Sequence, residues 1–189
     1  MQDDITDGVR QLIAQKVADP QRICIYGASY GGYAALWGVI KTPELYKCGI
    51  SFAGVSDLND MLSHSIFDDS NAASRELQRA HVGDPAKSRQ ALDEVSPLKH
   101  AKEVRVPLFI AHGEEDTRVL PSQSKDMVKA LKALGKPVEW MPFEQEGHGF
   151  FWVDNHVKYY AAVLRFLQRH IGERPVPSPQ ADAVSGTPP

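Results

Sequence analysis

The feature that most constrains the fold of this chain is a serine flanked by glycines, Gly27-Ala28-Ser29-Tyr30-Gly31. The preceding residues 23–26 are typical of a β-strand, and residues 33–40 are typical of a helix. A strand that turns abruptly into a helix strains the backbone at the apex, and glycine at the flanking positions lets the two segments approach closely. The pattern therefore predicts a serine hydroxyl raised out of a sheet, in the position of a nucleophile.

Strand-like and helical patterns alternate along most of the chain. Helices are predicted at residues 5–17, from the serine turn to Lys41, at 122–134 and at 154–171. Strands are predicted at residues 22–26, 46–53, 106–111 and 138–143. Strands separated by helices indicate an α/β fold with a parallel sheet and right-handed crossovers.

Two stretches fall outside this alternation. Residues 57–105 are too many for a simple crossover and are predicted to form two or three short helices over the carboxyl ends of the strands, where pockets form. Residues 172–189 contain five prolines and little that is apolar, so they are predicted to be a disordered tail. The sequence thus predicts one folded unit, residues 1–171, followed by the tail.

Composition and charge limit the possible partners. With 42% hydrophobic and 24% charged residues among 189, the chain is typical of a soluble domain. A net charge of -3 with scattered basic residues argues against nucleic acid and against an anionic membrane surface. No segment has the length and apolarity of a membrane span, and residues 1–20 do not resemble a signal peptide.

The cysteines and histidines indicate no cofactor. Cys24 and Cys48 both fall in strand-like runs and are interpreted as buried reduced thiols rather than a disulfide, which favours a cytoplasmic location. No pair of the seven histidines has convincing metal-ligand spacing, so neither a metal nor a cofactor is expected.

A nucleophilic serine needs a base and a carboxylate, and these are expected after later strands in the order Ser, Asp or Glu, His. The third predicted strand is followed by a loop that contains Asp116, and the fourth by a loop that contains His148. Asp57 is a rival for the acid because it also follows a strand. His112 is interpreted as a strand-end residue with a satisfied hydrogen bond.

Three blocks, GASYGGY, HGEEDTRV and EGHGF, resemble the catalytic domain of the prolyl oligopeptidase family of serine peptidases, within the α/β-hydrolase fold. The resemblance runs from residue 3 to about residue 171 and is closest to the acylaminoacyl peptidase and dipeptidyl peptidase branch. It implies that Ser29 is the nucleophile, Asp116 the orienting acid and His148 the general base. It also implies that the backbone N–H of Tyr30 is an oxyanion donor and that Arg118 holds a substrate carbonyl. The alternative for Arg118 is a surface cap or an ion pair with Glu114 or Glu115.

The resemblance also implies parts for which this chain has little room. In the family, several strands precede the serine turn and a β-propeller domain precedes the catalytic domain, whereas 28 residues precede Ser29 here. The chain is therefore expected to be the carboxyl-terminal part of a hydrolase domain that lacks the amino-terminal strands and the second oxyanion donor. Its first strand would then be an exposed edge, which predicts self-association or a missing amino-terminal segment.

Three functions remain open on this basis. The first is a serine peptidase that cleaves peptide or acyl-aminoacyl bonds through an acyl-enzyme on Ser29. The second is a carboxylesterase acting on small esters. The third is an inactive fragment or interaction module that retains the three residues without using them.

Overall fold

A four-stranded parallel sheet organises the computed structural model, which describes residues 2–64, 76 and 80–172. The strands lie side by side in chain order, and all three neighbouring pairs are parallel. They are β1 (Cys24–Ala28), β2 (Cys48–Phe52), β3 (Leu108–Gly113) and β4 (Val138–Phe143). The predicted α/β fold is confirmed, with β1 and β3 each displaced by two residues from the predicted bounds.

Six α-helices connect and flank these strands in the described part of the chain. They are α1 (Gln2–Ala14), α2 (Tyr30–Lys41), α3 (Leu58–His64), α4 (Pro85–Asp93), α5 (Ser122–Ala133) and α6 (Val153–Ile171). Short 3-10 helices lie at Pro43–Leu45 and Pro97–Glu103. None of the described helices combines the length and apolarity needed to cross a bilayer. Apart from Gly172, the predicted tail lies outside the described residues.

Both faces of the sheet are buried, as is usual when helices cover a parallel sheet. Successive residues of β3 point to opposite faces: Leu108 and Ile110 pack with α2 and α5, whereas Phe109 and Ala111 pack with α6. The strands run in the same direction, so their carboxyl ends meet at one edge of the sheet. The loops that follow β1, β3 and β4 therefore converge there.

A disulfide between Cys24 and Cys48 joins β1 to β2. The two cysteines are direct partners in the strand register, with Cα atoms 4.7 Å apart. The prediction of reduced thiols was therefore wrong. Disulfides persist mainly in oxidising compartments, so the two cysteines no longer support the prediction of a cytoplasmic location.

Loss of this disulfide is expected to lower the free energy of unfolding by about 2–4 kcal/mol in a Cys24→Ser, Cys48→Ser double variant. The physical reason is that the bridge spans 24 residues and restricts the unfolded chain. Urea unfolding at neutral pH measures the difference. Titration of the denatured, unreduced protein with a thiol reagent is the check on the bond itself, and two reactive thiols would contradict it.

Candidate active site

Ser29 lies between β1 and α2 in a backbone conformation that side-chain-bearing residues seldom adopt, with φ 57° and ψ -122°. Its backbone N–H donates to the carbonyl of Phe52, at the end of β2, over 2.9 Å. Such strain persists only where the surroundings determine the backbone path. The sequence prediction of a sharp strand-to-helix turn is confirmed.

The glycines around Ser29 have unequal steric roles. A Cβ atom on Gly27 would lie 2.1 Å from the carbonyl oxygen of Gly31, and one on Gly32 would lie 2.7 Å from Gly54 Cα. A Cβ on Gly31 would meet nothing within 4 Å. The close approach that the sequence analysis assigned to both flanking glycines thus requires Gly27 but not Gly31.

A continuous chain of hydrogen bonds joins the three residues predicted from the sequence. Ser29 Oγ lies 2.8 Å from His148 Nε2, and His148 Nδ1 lies 2.7 Å from Asp116 Oδ2. Asp116 is buried and His148 is partly buried. This is the arrangement in which an imidazole can accept a proton from the serine while the carboxylate orients it.

The carboxylate of Asp116 is held by four donors. Oδ1 accepts from the backbone N–H groups of Arg118 and Val119, at 2.8 and 3.0 Å, and Oδ2 accepts from His112 and His148. Burial alone would raise the pKa of Asp116, but the hydrogen bonds from the two histidines and from the two backbone groups lower it below its usual value. Asp116 is therefore an anion at neutral pH.

The loops that carry Asp116 and His148 are packed against each other through their backbones. A Cβ on Gly113 would lie 2.2 Å from the carbonyl oxygens of both Glu146 and Gly147. The N–H of Glu115 donates to the carbonyl of Glu146 over 2.9 Å. Only glycine at position 113 permits this contact, which fixes the spacing of acid and base.

Asp57, the rival acid, belongs to a different group of charges. Its carboxylate forms an ion pair with Lys99 Nζ at 2.7 Å and accepts from the N–H of Asp60 at 3.1 Å. Burial raises the pKa of Asp57, but the Lys99 ammonium and the Asp60 N–H more than offset this and lower it. The structure therefore pairs His148 with Asp116 and places Asp57 at the start of α3.

Glu146 is a buried carboxylate near His148 that the sequence analysis did not single out. Its Oε2 accepts from Phe151 N at 2.6 Å, and its Oε1 accepts from Trp152 N at 3.1 Å and Asn155 Nδ2 at 2.9 Å. It thus ties the loop that carries His148 to the first turn of α6, where the helix dipole favours an anion. No local pattern marks it, since Glu146 precedes the first residue of α6 by seven residues and lies outside the first turn, where acidic residues signal a helix start.

A Glu146→Gln variant is expected to lose about 1–3 kcal/mol of unfolding free energy at pH 7. The carboxylate accepts hydrogen bonds at two oxygens, whereas the amide of glutamine has a single oxygen that can accept. Burial raises the pKa of Glu146, but hydrogen bonds from Phe151, Asn155 and Trp152 lower it overall. Its stabilisation is thus complete above the unfolded-state pKa of about 4.3 and is lost as the pH falls through the lower folded-state value.

Urea unfolding of the Glu146→Gln variant and the parent protein at pH 7 and pH 3 measures this effect. The difference between the two proteins should shrink at the lower pH. An equal difference at both pH values would argue that the charge of Glu146 contributes nothing.

A cavity of about 640 Å³ opens beside Ser29 and His148. Much of its wall is apolar and comes from the 57–105 insertion, as predicted, including Leu58, Met61 and Val95. Tyr33 also lines it and donates its hydroxyl to the carbonyl of Val95 over 3.1 Å. Burial raises the pKa of Tyr33 to about 12, so this hydroxyl remains neutral.

The other two predicted site residues also border this cavity. Tyr30 is the first residue of α2, so its backbone N–H lies in the unpaired first turn of a helix next to Ser29. Arg118 lines the cavity together with Ser29 and His148. Across residues 2–64, 76 and 80–172, no group of three or more His, Cys, Asp or Glu side chains is arranged to hold a metal ion.

A parallel sheet whose strand-to-helix turn presents a serine to a histidine and an aspartate from later loops defines an α/β-hydrolase. Comparison with known proteins agrees. Residues 1–174 match the prolyl oligopeptidase family, and the chain belongs to this family. The resemblance found in the sequence is confirmed.

Named relatives are similar over most of this chain. Dipeptidyl aminopeptidase BIII of Pseudoxanthomonas mexicana is 36% identical over 179 residues, which cover 94% of this chain and 26% of the relative. Dipeptidyl peptidase family member 6 of Caenorhabditis elegans is 30% identical over 172 residues, covering 89% of this chain and 23% of the relative. The chain therefore spans about a quarter of the length of these relatives.

A solved structure shares the fold. Uncomplexed acylaminoacyl peptidase of Pyrococcus horikoshii superposes with a TM-score of 0.80 at 30% sequence identity. The match covers 90% of this chain and 28% of that one.

Proposed function

We propose that this protein is a serine peptidase that cleaves peptide or acyl-aminoacyl bonds through an acyl-enzyme on Ser29. The observation that carries the proposal is the chain of hydrogen bonds from Ser29 Oγ through His148 to Asp116, at 2.8 and 2.7 Å. The strained backbone of Ser29 beside a cavity also supports the proposal, because strained residues of this kind cluster at functional sites.

The proposed reaction proceeds in two halves. Ser29 Oγ attacks the substrate carbonyl carbon while His148 Nε2 takes the hydroxyl proton, and the imidazolium then passes that proton to the leaving amine. Water next attacks the acyl-serine ester, again losing a proton to His148, which returns it to Ser29 Oγ as the acid product departs. Asp116 remains ionised throughout and holds the Nδ1–H tautomer of His148.

Charge on the substrate oxygen is proposed to be stabilised by the N–H of Tyr30 at the start of α2. Arg118, which borders the same cavity, is proposed to hold a second carbonyl of the substrate. A second oxyanion donor is proposed to come from another segment or subunit that docks along β1, which lies at the edge of the sheet formed by the described residues. The alternative proposal is that two copies of this chain associate through the same edge of the sheet.

The apolar cavity and the relatives favour amide substrates with an apolar side chain. The Pseudoxanthomonas relative is named a dipeptidyl aminopeptidase, and the Pyrococcus structure is of an acylaminoacyl peptidase. The cavity wall of Leu58, Met61 and Val95 suits an apolar group next to the scissile carbonyl.

Labelling with a fluorophosphonate probe tests the proposal, because such probes react with serines that a neighbouring base activates. We expect covalent modification of the folded protein at Ser29 and none in a Ser29→Ala variant. Heat-denatured protein is the second control, since Ser29 without His148 should be inert. Absence of labelling in folded protein would favour an inactive fragment or interaction module.

A substrate comparison separates the peptidase from the carboxylesterase. Aminoacyl and acyl-aminoacyl amides with a large apolar residue are compared with p-nitrophenyl esters of short acids. Amide turnover that disappears in Ser29→Ala supports the peptidase. Ester turnover without any amide turnover would leave the carboxylesterase as the better description.

A further inference from the structure

A second imidazole bonds to the carboxylate that orients His148. His112, near the end of β3, has no exposed surface. Its Nε2 lies 3.1 Å from Asp116 Oδ2 and 2.8 Å from the carbonyl oxygen of Val119, and its Nδ1 lies 2.7 Å from Ser124 Oγ on α5. The hydrogen bond expected at this strand end thus involves the proposed acid.

These partners define which nitrogen of His112 carries the proton. Nε2 faces two oxygens that can only accept, so it must be the N–H, shared between Asp116 and Val119. Nδ1 faces the hydroxyl of Ser124, which can donate to it. An imidazole with its proton on Nε2 satisfies all three contacts, and the two acceptors that face Nε2 define that tautomer.

We propose that His112 is a positioning residue that sets both the orientation and the proton-attracting strength of Asp116. The inference rests on the proposed serine hydrolase activity. Both imidazoles bond to the same oxygen, Asp116 Oδ2. The hydrogen bond from His112 stabilises negative charge on that oxygen and so weakens its attraction for a proton on His148. The backbone donors to Oδ1 fix the other end of the carboxylate.

The ionisable groups around this pair come from three parts of the fold. Asp116 and Arg118 lie in the loop after β3, His148 and Glu146 in the loop after β4, and Lys125 on α5 pairs with Glu114. Asp116 is the ionisable group that accepts from His112. Loss of His112 therefore acts on His148 through Asp116.

Removal of the His112 donor should have two separable effects. The carboxylate loses one restraint, so kcat/KM should fall about 10- to 100-fold, by analogy with the loss of the partners that hold metal-bound histidines in place. KM should change little, because His112 does not border the cavity. The freed negative charge should also favour the protonated form of His148, so the acid limb of the pH–rate profile should move up by about 0.5 to 1 pH unit.

Three variants test these effects. His112→Asn keeps a polar side chain that reaches towards Ser124 but is too short to reach Asp116. His112→Gln carries its amide N–H near the position of Nε2 and should restore most of the rate and the parental pH profile. Leu131→Ala, at a buried position of α5 in the apolar cluster, is the control for lost stability, because a less stable fold alone should not move the acid limb.

The protonation of the His148 ring is followed as a function of pH by NMR of ring-labelled protein, a measurement that needs no turnover. We expect the midpoint of the His148 titration to move to higher pH in His112→Asn and to stay in place in Leu131→Ala and His112→Gln. An unchanged midpoint in folded His112→Asn would overturn the proposal. If His112→Asn does not fold, His112→Leu is measured instead: it also lacks the donor to Asp116, so a midpoint moved to higher pH supports the proposal and an unchanged midpoint overturns it.

The two proposals fail in different ways. A parent protein that turns over no substrate and takes no probe removes the proposed hydrolase function, whatever the His148 titration does. A parent protein that is active, with an acid limb and a His148 midpoint that His112→Asn leaves in place, removes the role of His112 alone.

Discussion

Asp116→Asn should lower kcat about 10⁴-fold, the size of loss seen when the carboxylate of such a triad becomes an amide. An asparagine can point its NH₂ group at His148 Nδ1, which forces the imidazole proton onto Nε2. That nitrogen then cannot accept the proton of Ser29, although it remains 2.8 Å away. Burst-phase and steady-state kinetics with an acyl-aminoacyl amide measure the loss.

Asp57→Asn is the matched control, since the same change of charge occurs at the other buried carboxylate that follows a strand. It breaks the 2.7 Å ion pair with Lys99 and should reduce stability by about 1–3 kcal/mol while leaving kcat within a few-fold of the parent. A loss of kcat in Asp57→Asn as large as in Asp116→Asn would reverse the assignment of the acid.

Gly27→Ala should destabilise the protein by about 3 kcal/mol or more and abolish probe labelling, because the new methyl group overpacks a site with no free space. Its Cβ would lie 2.1 Å from the carbonyl oxygen of Gly31. The backbone cannot easily yield, since the N–H of Ser29 is bound to the carbonyl of Phe52. Urea unfolding and fluorophosphonate labelling report the two losses.

Gly31→Ala tests the same motif on the other side of the serine. Nothing lies within 4 Å of a Cβ at this position, and the residue belongs to α2. Alanine is the better helix former by about 0.5–1 kcal/mol, so this variant should be at least as stable as the parent and should still be labelled. Equal damage from both substitutions would show that the steric account of the turn is wrong.

The sequence predicted the parallel sheet and the hydrogen-bonded triad well, because both depend on local patterns. The serine turn needs only a strand, a glycine and a helix in succession, and Asp116 and His148 each follow a strand whose apolar run is easy to recognise. Once the strands are parallel, their carboxyl ends must meet, so the loops that follow them converge.

What the sequence missed depends on contacts between distant segments. The Cys24–Cys48 bond requires that the two residues be opposite in the strand register, and the sequence bounds of β1 were displaced by two residues. The hydrogen bond from Phe151 to Glu146 and the hydrogen bond between His112 and Asp116 form only because the folded loops bring these groups together. The unequal steric roles of Gly27 and Gly31 likewise depend on where one carbonyl points.

The attachment of the three residues to the fold is uneven. Asp116 and His148 sit on adjoining loops whose backbones are in close contact at Gly113, which restrains the two loops relative to each other. Ser29 follows β1, which has a neighbour on one side only in the described sheet. As the protein is warmed, the hydroxyl should therefore drift from the imidazole before the imidazole leaves the carboxylate, and chemistry would cease while most helices are still intact.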